Sequence, residues 1–288
     1  RSTLFPYTTL FRSALAVLVT IAGLTAFYNH KEATELNTKQ YVQSTTPTLF
    51  FHGFGSSSNA ENHMTEAAKK AGVTQTIITA NVSKNGQVSL LGEIPKGAIN
   101  PIIKVNYEDN RNADYAQDGK YAAAVIRKLQ ETYGFDKMNL VGHSMGNMSI
   151  LFYMLENSQD ENLPQLQMQV NIANHVNGLE GRDLPEDLSI LDDQTGQPSA
   201  MSQTYQNLLG LREVYPQDQV DVLNIYGDFK NESDGSVLNI SSRSLKYLLI
   251  ENAKSYQEKK ITGQLAQHSQ LHENPEVDEL LIDFLWKK

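Results

Sequence analysis

An α/β fold built on a mainly parallel sheet is predicted for this chain by three observations. From Thr48 onward, short apolar runs alternate with longer amphipathic ones, as in a parallel sheet with helices on both faces. The apolar run 138–141 passes through Gly142-His143-Ser144-Met145-Gly146 directly into a helix-like run, 147–155. The chain has 288 residues and no internal repeat, enough for one such domain with a sizeable core.

Taken in order, Thr48-Leu49-Phe50-Phe51 is a short buried strand leading into His52-Gly53-Phe54-Gly55. A serine-rich loop and a helix over 59–71 follow. Residues 76–82 and 87–91 are β-rich, and the Asn85-Gly86 step between them predicts a hairpin. Residues 102–107 form another strand. The run 115–133 is an amphipathic helix with Ala123, Ile126, Leu129 and Tyr133 at helical spacing, ended by Gly134. After the turn at Ser144, residues 168–173 are a strand. Residues 174–202 are irregular, acidic and rich in Gly and Pro, too long for an ordinary connection and placed where such folds insert a lid. A helix over 204–214, a strand over 220–226, a helix over 244–251, a last strand over 259–262 and a closing helix over 277–286 complete the pattern. Too little chain precedes Thr48 for further strands at that end, so the expected sheet has about six core strands plus the 76–91 hairpin.

The formal charge of −9 argues against a nucleic-acid partner, which needs a basic face. The absence of cysteine excludes disulfides, a thiolate metal site and a Cys nucleophile. Residues 1–13 read as the translation of a sequencing-library adapter and are set aside from fold reasoning. Residues 14–28 are mostly apolar and uncharged, which fits a signal-peptide core or a short membrane anchor, and 29–47 reads as a polar linker. The catalytic domain is expected over 48–288.

Strand, G-x-S-x-G, helix is the context of a nucleophile elbow. The turn forces the serine into a strained backbone conformation, and flanking glycines keep side chains clear of strand and helix. The Ser144 hydroxyl then stands at the positive end of a helix, suited to attack on an ester or amide carbonyl. A serine nucleophile needs a base, an orienter for that base and an oxyanion hole. Asp234, in the loop after the 220–226 strand, is the favoured acid, with Asp228 as its rival. His268 is the favoured base, being first after the last strand, with His272 as its rival. The backbone N–H groups of Met145 and Phe54 are the oxyanion-hole candidates. His52 reads as a brace for its loop and His143 as packing beside the elbow. His30, His63 and His175 lack partners at ligand spacing and read as surface or loop residues, so neither metal nor cofactor is expected.

With these pieces placed, the chain resembles the α/β-hydrolase superfamily over nearly all of 48–288. More narrowly, it resembles Gram-positive cell-surface α/β hydrolases of a family of unknown function. The likeness rests on His52-Gly53-Phe54-Gly55, on Val141-Gly142-His143-Ser144-Met145-Gly146-Asn147, on Asn224-Ile225-Tyr226-Gly227 with Ser233-Asp234-Gly235, and on His268-Ser269-Gln270-Leu271-His272-Glu273-Asn274. It is similar also to small Bacillus-type lipases, whose acid is followed by a Val three residues later, as Asp234 is by Val237. Their base stands about nine residues before a helix-start Val, as His268 does before Val277. The resemblance implies the α/β-hydrolase fold and carboxylic-ester hydrolysis, with export or N-terminal anchoring at the surface of a Gram-positive cell. Two other readings stay open: acyl transfer, thioester or amide cleavage with the same triad, and an inactive cell-surface binding module. Apolar residues in 174–202 are few, which favours short or soluble esters.

Overall fold

The computed structural model describes residues 35–288. The adapter-like stretch, the apolar run 14–28 and His30 lie outside the described residues. No helix among the described residues is long and apolar enough to cross a membrane.

Thr48–Phe51 is the first strand, β1, and all of it is buried. A strand covered on both faces is a continuous apolar run. Leu49 and Phe51 belong to the core on one side of the sheet and Phe50 to the core on the other. Burying each phenylalanine ring contributes about 2–3 kcal/mol. The remaining strands are β2 (Ile77–Val82), β3 (Val88–Leu91), β4 (Ile102–Tyr107), β5 (Lys137–His143), β6 (Gln165–Ile172), β7 (Asp221–Asp228) and β8 (Ser255–Thr262). Their spatial order is β3-β2-β4-β1-β5-β6-β7-β8. Every neighbouring pair is parallel except β2 with β3. The expected hairpin is therefore β2 and β3, and it extends the main sheet because β2 pairs in parallel with β4. Its turn closes through Gly86 N–H to the Ser83 carbonyl at 2.9 Å, with Gly86 at φ +81°.

The helices are α1 (Asn62–Lys70), α2 (Tyr115–Tyr133), α3 (Met145–Asn157), α4 (Gln203–Leu208), α5 (Leu211–Val214), α6 (Asn239–Arg243), α7 (Leu245–Leu249) and α8 (Pro275–Trp286). α1 and α8 pack on one face of the sheet, whereas α2, α3, α4, α5 and α7 pack on the other. α2 begins where the Asp114 carboxylate accepts from the Ala116 and Gln117 N–H groups, and ends at Gly134 in the left-handed region. α3 is buried on nearly all sides from Met145 to Met154. Gly119 lets α2 approach it closely: a Cβ there would lie 2.8 Å from Phe152 Cβ and 2.9 Å from the Phe152 carbonyl carbon.

Several expected boundaries shift for identifiable reasons. The last strand begins at Ser255, not Lys259, and only Ile261 in it is buried. As an edge strand it pairs with β7 along its whole length while carrying charged residues, so its pattern does not read as β. The expected helix 204–214 is broken at Leu209-Gly210 into α4 and α5. The expected helix 244–251 is α7, Leu245–Leu249, preceded by a further short helix, α6, from which it is separated at Ser244, whose hydroxyl donates to the Ile240 carbonyl at 2.8 Å. The described part of the linker-like stretch packs on the domain: Tyr41 is buried, and Val42 N–H donates to the Trp286 carbonyl at 2.8 Å. Residues 174–202 carry no helix or strand. Their two ends are fastened together by Asn177, which donates to the Ala200 carbonyl and accepts from Ser202 N–H, each at 2.9 Å.

Two stability predictions follow from the α2 packing. Gly119→Val has to push α2 away from Phe152, so the urea midpoint is expected to fall by the equivalent of about 1–3 kcal/mol. An unchanged midpoint would contradict the close helix contact. One Asp118 carboxylate oxygen accepts from the Asn112 amide at 3.2 Å and the other has no partner among the described residues. Burial pushes this carboxyl up to about 7, partly offset by the Asn112 hydrogen bond. Between the ordinary carboxylate range and pH 7 the folded chain keeps a proton that the unfolded chain has lost. Stability therefore falls as pH rises through that window, by at most about 1.4 kcal/mol per pH unit, and levels off above it. Asp118→Asn is expected to melt above the wild type at pH 8, with the gap narrowing toward pH 4 in a series of thermal melts.

Candidate active site

β5 runs into α3 through a single residue, Ser144, held at φ 53° and ψ −119°. A non-glycine residue in that region stores about 1–3 kcal/mol of strain, which the surrounding packing must impose. The packing is visible at the two glycines of the motif. A Cβ on Gly142 would lie 2.7 Å from Asn147 N, and one on Gly146 would run into the Phe51 carbonyl oxygen. Hydrogen bonds complete the turn. Ser144 N–H donates to the Ile172 carbonyl at 3.0 Å, and the Asn147 side-chain amide donates to the Ser144 and Ile172 carbonyls at 3.0 and 2.8 Å. The end of β6 is thereby fixed against the elbow.

His268 lies between Ser144 and Asp234. Its Nε2 is 2.9 Å from Ser144 Oγ and its Nδ1 is 2.7 Å from Asp234 Oδ2. A carboxylate only accepts, so in the neutral ring Nδ1 carries the proton and Nε2 is free to accept from the serine hydroxyl. Asp234 is buried, and its other oxygen, Oδ1, accepts from the Ser236 and Val237 N–H groups at 2.9 and 2.7 Å. Those two bonds leave Oδ2 aimed at His268. The loops carrying Asp234 and His268 also touch through their backbones: His268 N–H donates to the Asp234 carbonyl at 2.8 Å. Gly227 near the end of β7 makes room for this, because a Cβ there would collide with the Ala266 carbonyl oxygen.

The rival residues sit elsewhere. Asp228 is paired with Lys260 at 3.3 Å. His272 faces Glu273, with Nδ1 to Oε1 at 3.2 Å, and its ring stands edge-on to His143 at 4.7 Å between centroids. His143 is buried against both His268 and His272. Burial above all, then the neighbouring His268 and His272, holds its pKa well below the usual histidine range. The neutral ring donates from Nε2 to the His268 carbonyl at 3.0 Å, which steadies the loop carrying that residue. His52 braces its own loop, with Nδ1 against the Gly53 carbonyl at 2.8 Å and Nε2 accepting from Tyr107 N–H at 3.1 Å.

That loop brings Phe54 to the elbow. A Cβ on Gly53 would be 3.1 Å from Ser144 Cβ. Neither Phe54 N–H nor Met145 N–H donates to an acceptor among the described residues. The Met145 amide belongs to the first turn of α3, where backbone N–H groups have no partner within the helix.

Two histidines differ from the sequence-based expectation. His63 is not a free surface residue but pairs with Asp278 at 2.9 Å. His175 does lie in a loop, after the end of β6, but not at the surface. It is buried, with Nε2 3.1 Å from the Tyr115 hydroxyl and Nδ1 without a partner among the described residues. The signal that points to it is positional: it follows the carboxyl end of β6, the edge of the sheet where ligands bind in such folds. The role of Asn147 likewise carries no signal in its residue type. Among the described residues no cluster of metal-ligating side chains occurs. A concavity of about 800 Å³ between the hairpin and α2 is lined by Asn81, Ser89, Asn106, Arg127 and Glu131 among others, and includes no member of the Ser144 cluster.

No curated protein matches the chain. Among solved structures, the chain is similar to the lin2722 gene product of Listeria innocua, with a TM-score of 0.76 and 27% identity over 84% of this chain and 94% of that one. It is similar in fold to a protein of Lactobacillus plantarum WCFS1 described as a cell surface hydrolase, with a TM-score of 0.65 and 20% identity over 85% of this chain and 91% of that one. A family model, that of the alpha/beta hydrolases of unknown function (DUF915), matches residues 35–288, and the chain belongs to this family.

Proposed function

We propose that the protein is a serine carboxylic-ester hydrolase that works through an acyl-enzyme on short or soluble esters at the cell surface. The observation that carries this reading is the position of His268, within hydrogen-bond reach of Ser144 Oγ on one side and Asp234 on the other. Ser144 Oγ attacks the ester carbonyl carbon while its proton passes to His268 Nε2. Asp234 holds the Nδ1–H and stabilises the imidazolium that forms. The free N–H groups of Phe54 and Met145 receive the oxyanion, each worth about 3 kcal/mol to the transition state. His268 returns the proton to the departing alkoxide, and the alcohol leaves. Water then adds to the acyl-enzyme, giving a proton to His268, and the carboxylic acid is released as Ser144 recovers its proton. Placement at the cell surface draws support from the apolar run 14–28 and from the Lactobacillus plantarum neighbour described as a cell surface hydrolase.

With p-nitrophenyl butyrate, Ser144→Ala is expected to lower kcat by about 10⁵- to 10⁶-fold while the protein stays folded. Undiminished turnover would overturn the assignment. Asp234→Asn keeps an oxygen for the Ser236 and Val237 N–H groups but presents an amide to His268. It is expected to hold the ring in the wrong tautomer and lower kcat by about 10⁴-fold with little change in melting temperature. A loss of less than tenfold would point to another acid.

A further inference from the structure

Ser144 and His268 are carried by strands that are not neighbours. Ser144 follows β5 directly, whereas His268 sits in the loop after β8. β6 and β7 lie between those strands, so three inter-strand spacings, about 14 Å, separate β5 from β8. β8 is an edge strand, paired with β7 alone. The 2.9 Å separation of Ser144 Oγ and His268 Nε2 is therefore not set by the sheet ladder. A further contact has to carry position from β5 to the loop after β8.

Two of the bonds that hold His268 come from the Asp234 loop. One joins the carboxylate to Nδ1 at 2.7 Å and the other joins the Asp234 carbonyl to His268 N–H at 2.8 Å. They place His268 relative to β7 and leave its distance from β5 open. Apart from the Ser144–His268 contact itself, one hydrogen bond among the described residues joins β5 and Ser144 to the loop 263–270. It runs from His143 Nε2 to the His268 carbonyl, is 3.0 Å long and links residues 125 apart in the chain. His143 is the last residue of β5, in register with Ile172 of β6, and its peptide bond leads straight to Ser144. The contacts form a closed ring: Ser144 Oγ to His268 Nε2, the His268 carbonyl to His143 Nε2, and His143 back to Ser144 through the backbone.

The His143 ring has little room to move. A Cβ on Gly53 would lie 3.2 Å from its Nδ1, so the loop after β1 passes against the ring. The ring of His272 stands edge-on to it, 4.7 Å away between centroids and at 78°. A carbonyl only accepts, so Nε2 carries the proton of the neutral ring. Burial above all keeps that ring neutral. A neutral donor can hold the His268 carbonyl without setting a second positive charge beside the His268 ring, 5.3 Å away, when that ring takes a proton.

We propose that His143 is a positioning residue whose Nε2–H sets the distance between Ser144 and His268, and so the rate of proton transfer from the serine, without touching the substrate. This rests on the serine-esterase reading above and adds to it a residue outside the triad.

The test compares variants of the full chain with wild type. His143→Gln brings an amide N–H near the position of the ring Nε2–H. His143→Asn carries the same amide one methylene short, and His143→Leu and His143→Phe carry no donor. Thermal melts check folding. Two readouts are taken: kcat and KM for p-nitrophenyl butyrate, and the rate constant for covalent labelling of Ser144 by a fluorophosphonate, which needs no ester turnover. A displacement of about 1 Å between reacting groups costs on the order of 10²-fold in rate, so the Asn, Leu and Phe variants are expected to lose about 10- to 100-fold in kcat and in labelling, with KM within about threefold of wild type. His143→Gln is expected to recover about a third or more of both rates. Should an apolar variant fail to fold, the comparison of Gln with Asn carries the test by itself. Wild-type labelling by folded His143→Asn, a Gln variant as slow as the Asn variant, or a loss confined to KM would overturn the proposal while leaving the esterase reading intact. Labelling in the expected order without turnover of any ester would overturn the esterase reading and leave the positioning role standing. No labelling of wild-type Ser144 would overturn both.

Discussion

The contact between the first turn of α3 and the carbonyl of Phe51 is the constraint on which the rest of the site depends. No Cβ fits at Gly146, so the helix starts directly against the central strand. Ser144 is then left with one residue in which to reverse from strand to helix, and its positive φ follows. The same approach brings the loop after β1 to the serine, with Gly53 almost touching Ser144 Cβ. Ser144 and the two free amides are thus set by one packing event. The strain at Ser144 is offset by a helix buried on nearly every side and by the Asn147 amide, which ties the turn to β6.

Asp234 and His268 are positioned by a different device. Two backbone N–H groups occupy one oxygen of Asp234, so its carboxylate has a single orientation in which the other oxygen faces His268. Gly227 lets the chain around Ala266 close on β7, and neutral His143 bonds the His268 carbonyl from behind. The histidine ring is held at both nitrogens and at its own backbone, which leaves little rotational freedom to lose when a substrate binds.

Much of this was legible in the sequence because it depends on local rules. The glycines around Ser144 read as a tight turn, the mostly apolar Thr48–Phe51 as a short strand, and Asn85-Gly86 as a hairpin turn. Ser144, Asp234 and His268 could be singled out because each follows a strand in an order the fold allows, and the structure brings their side chains together. What could not be read depends on neighbours far away in the chain. His175 is buried against Tyr115, on α2, a neighbour 60 residues away in the chain. The start of β8 is hidden because an edge strand can be polar on both sides. The break between α4 and α5 falls at Gly210, packed so closely on Leu155 that a Cβ there would lie 2.9 Å from its side chain, a contact that exists only in the folded chain.

The central claim is that Ser144 is an activated nucleophile, and covalent labelling tests it most directly. After reaction of the folded protein with a fluorophosphonate, intact-mass analysis is predicted to show one adduct per chain, and peptide mapping to place it on Ser144. No adduct on a well-folded sample, or an adduct on another serine that persists in Ser144→Ala, would contradict the account.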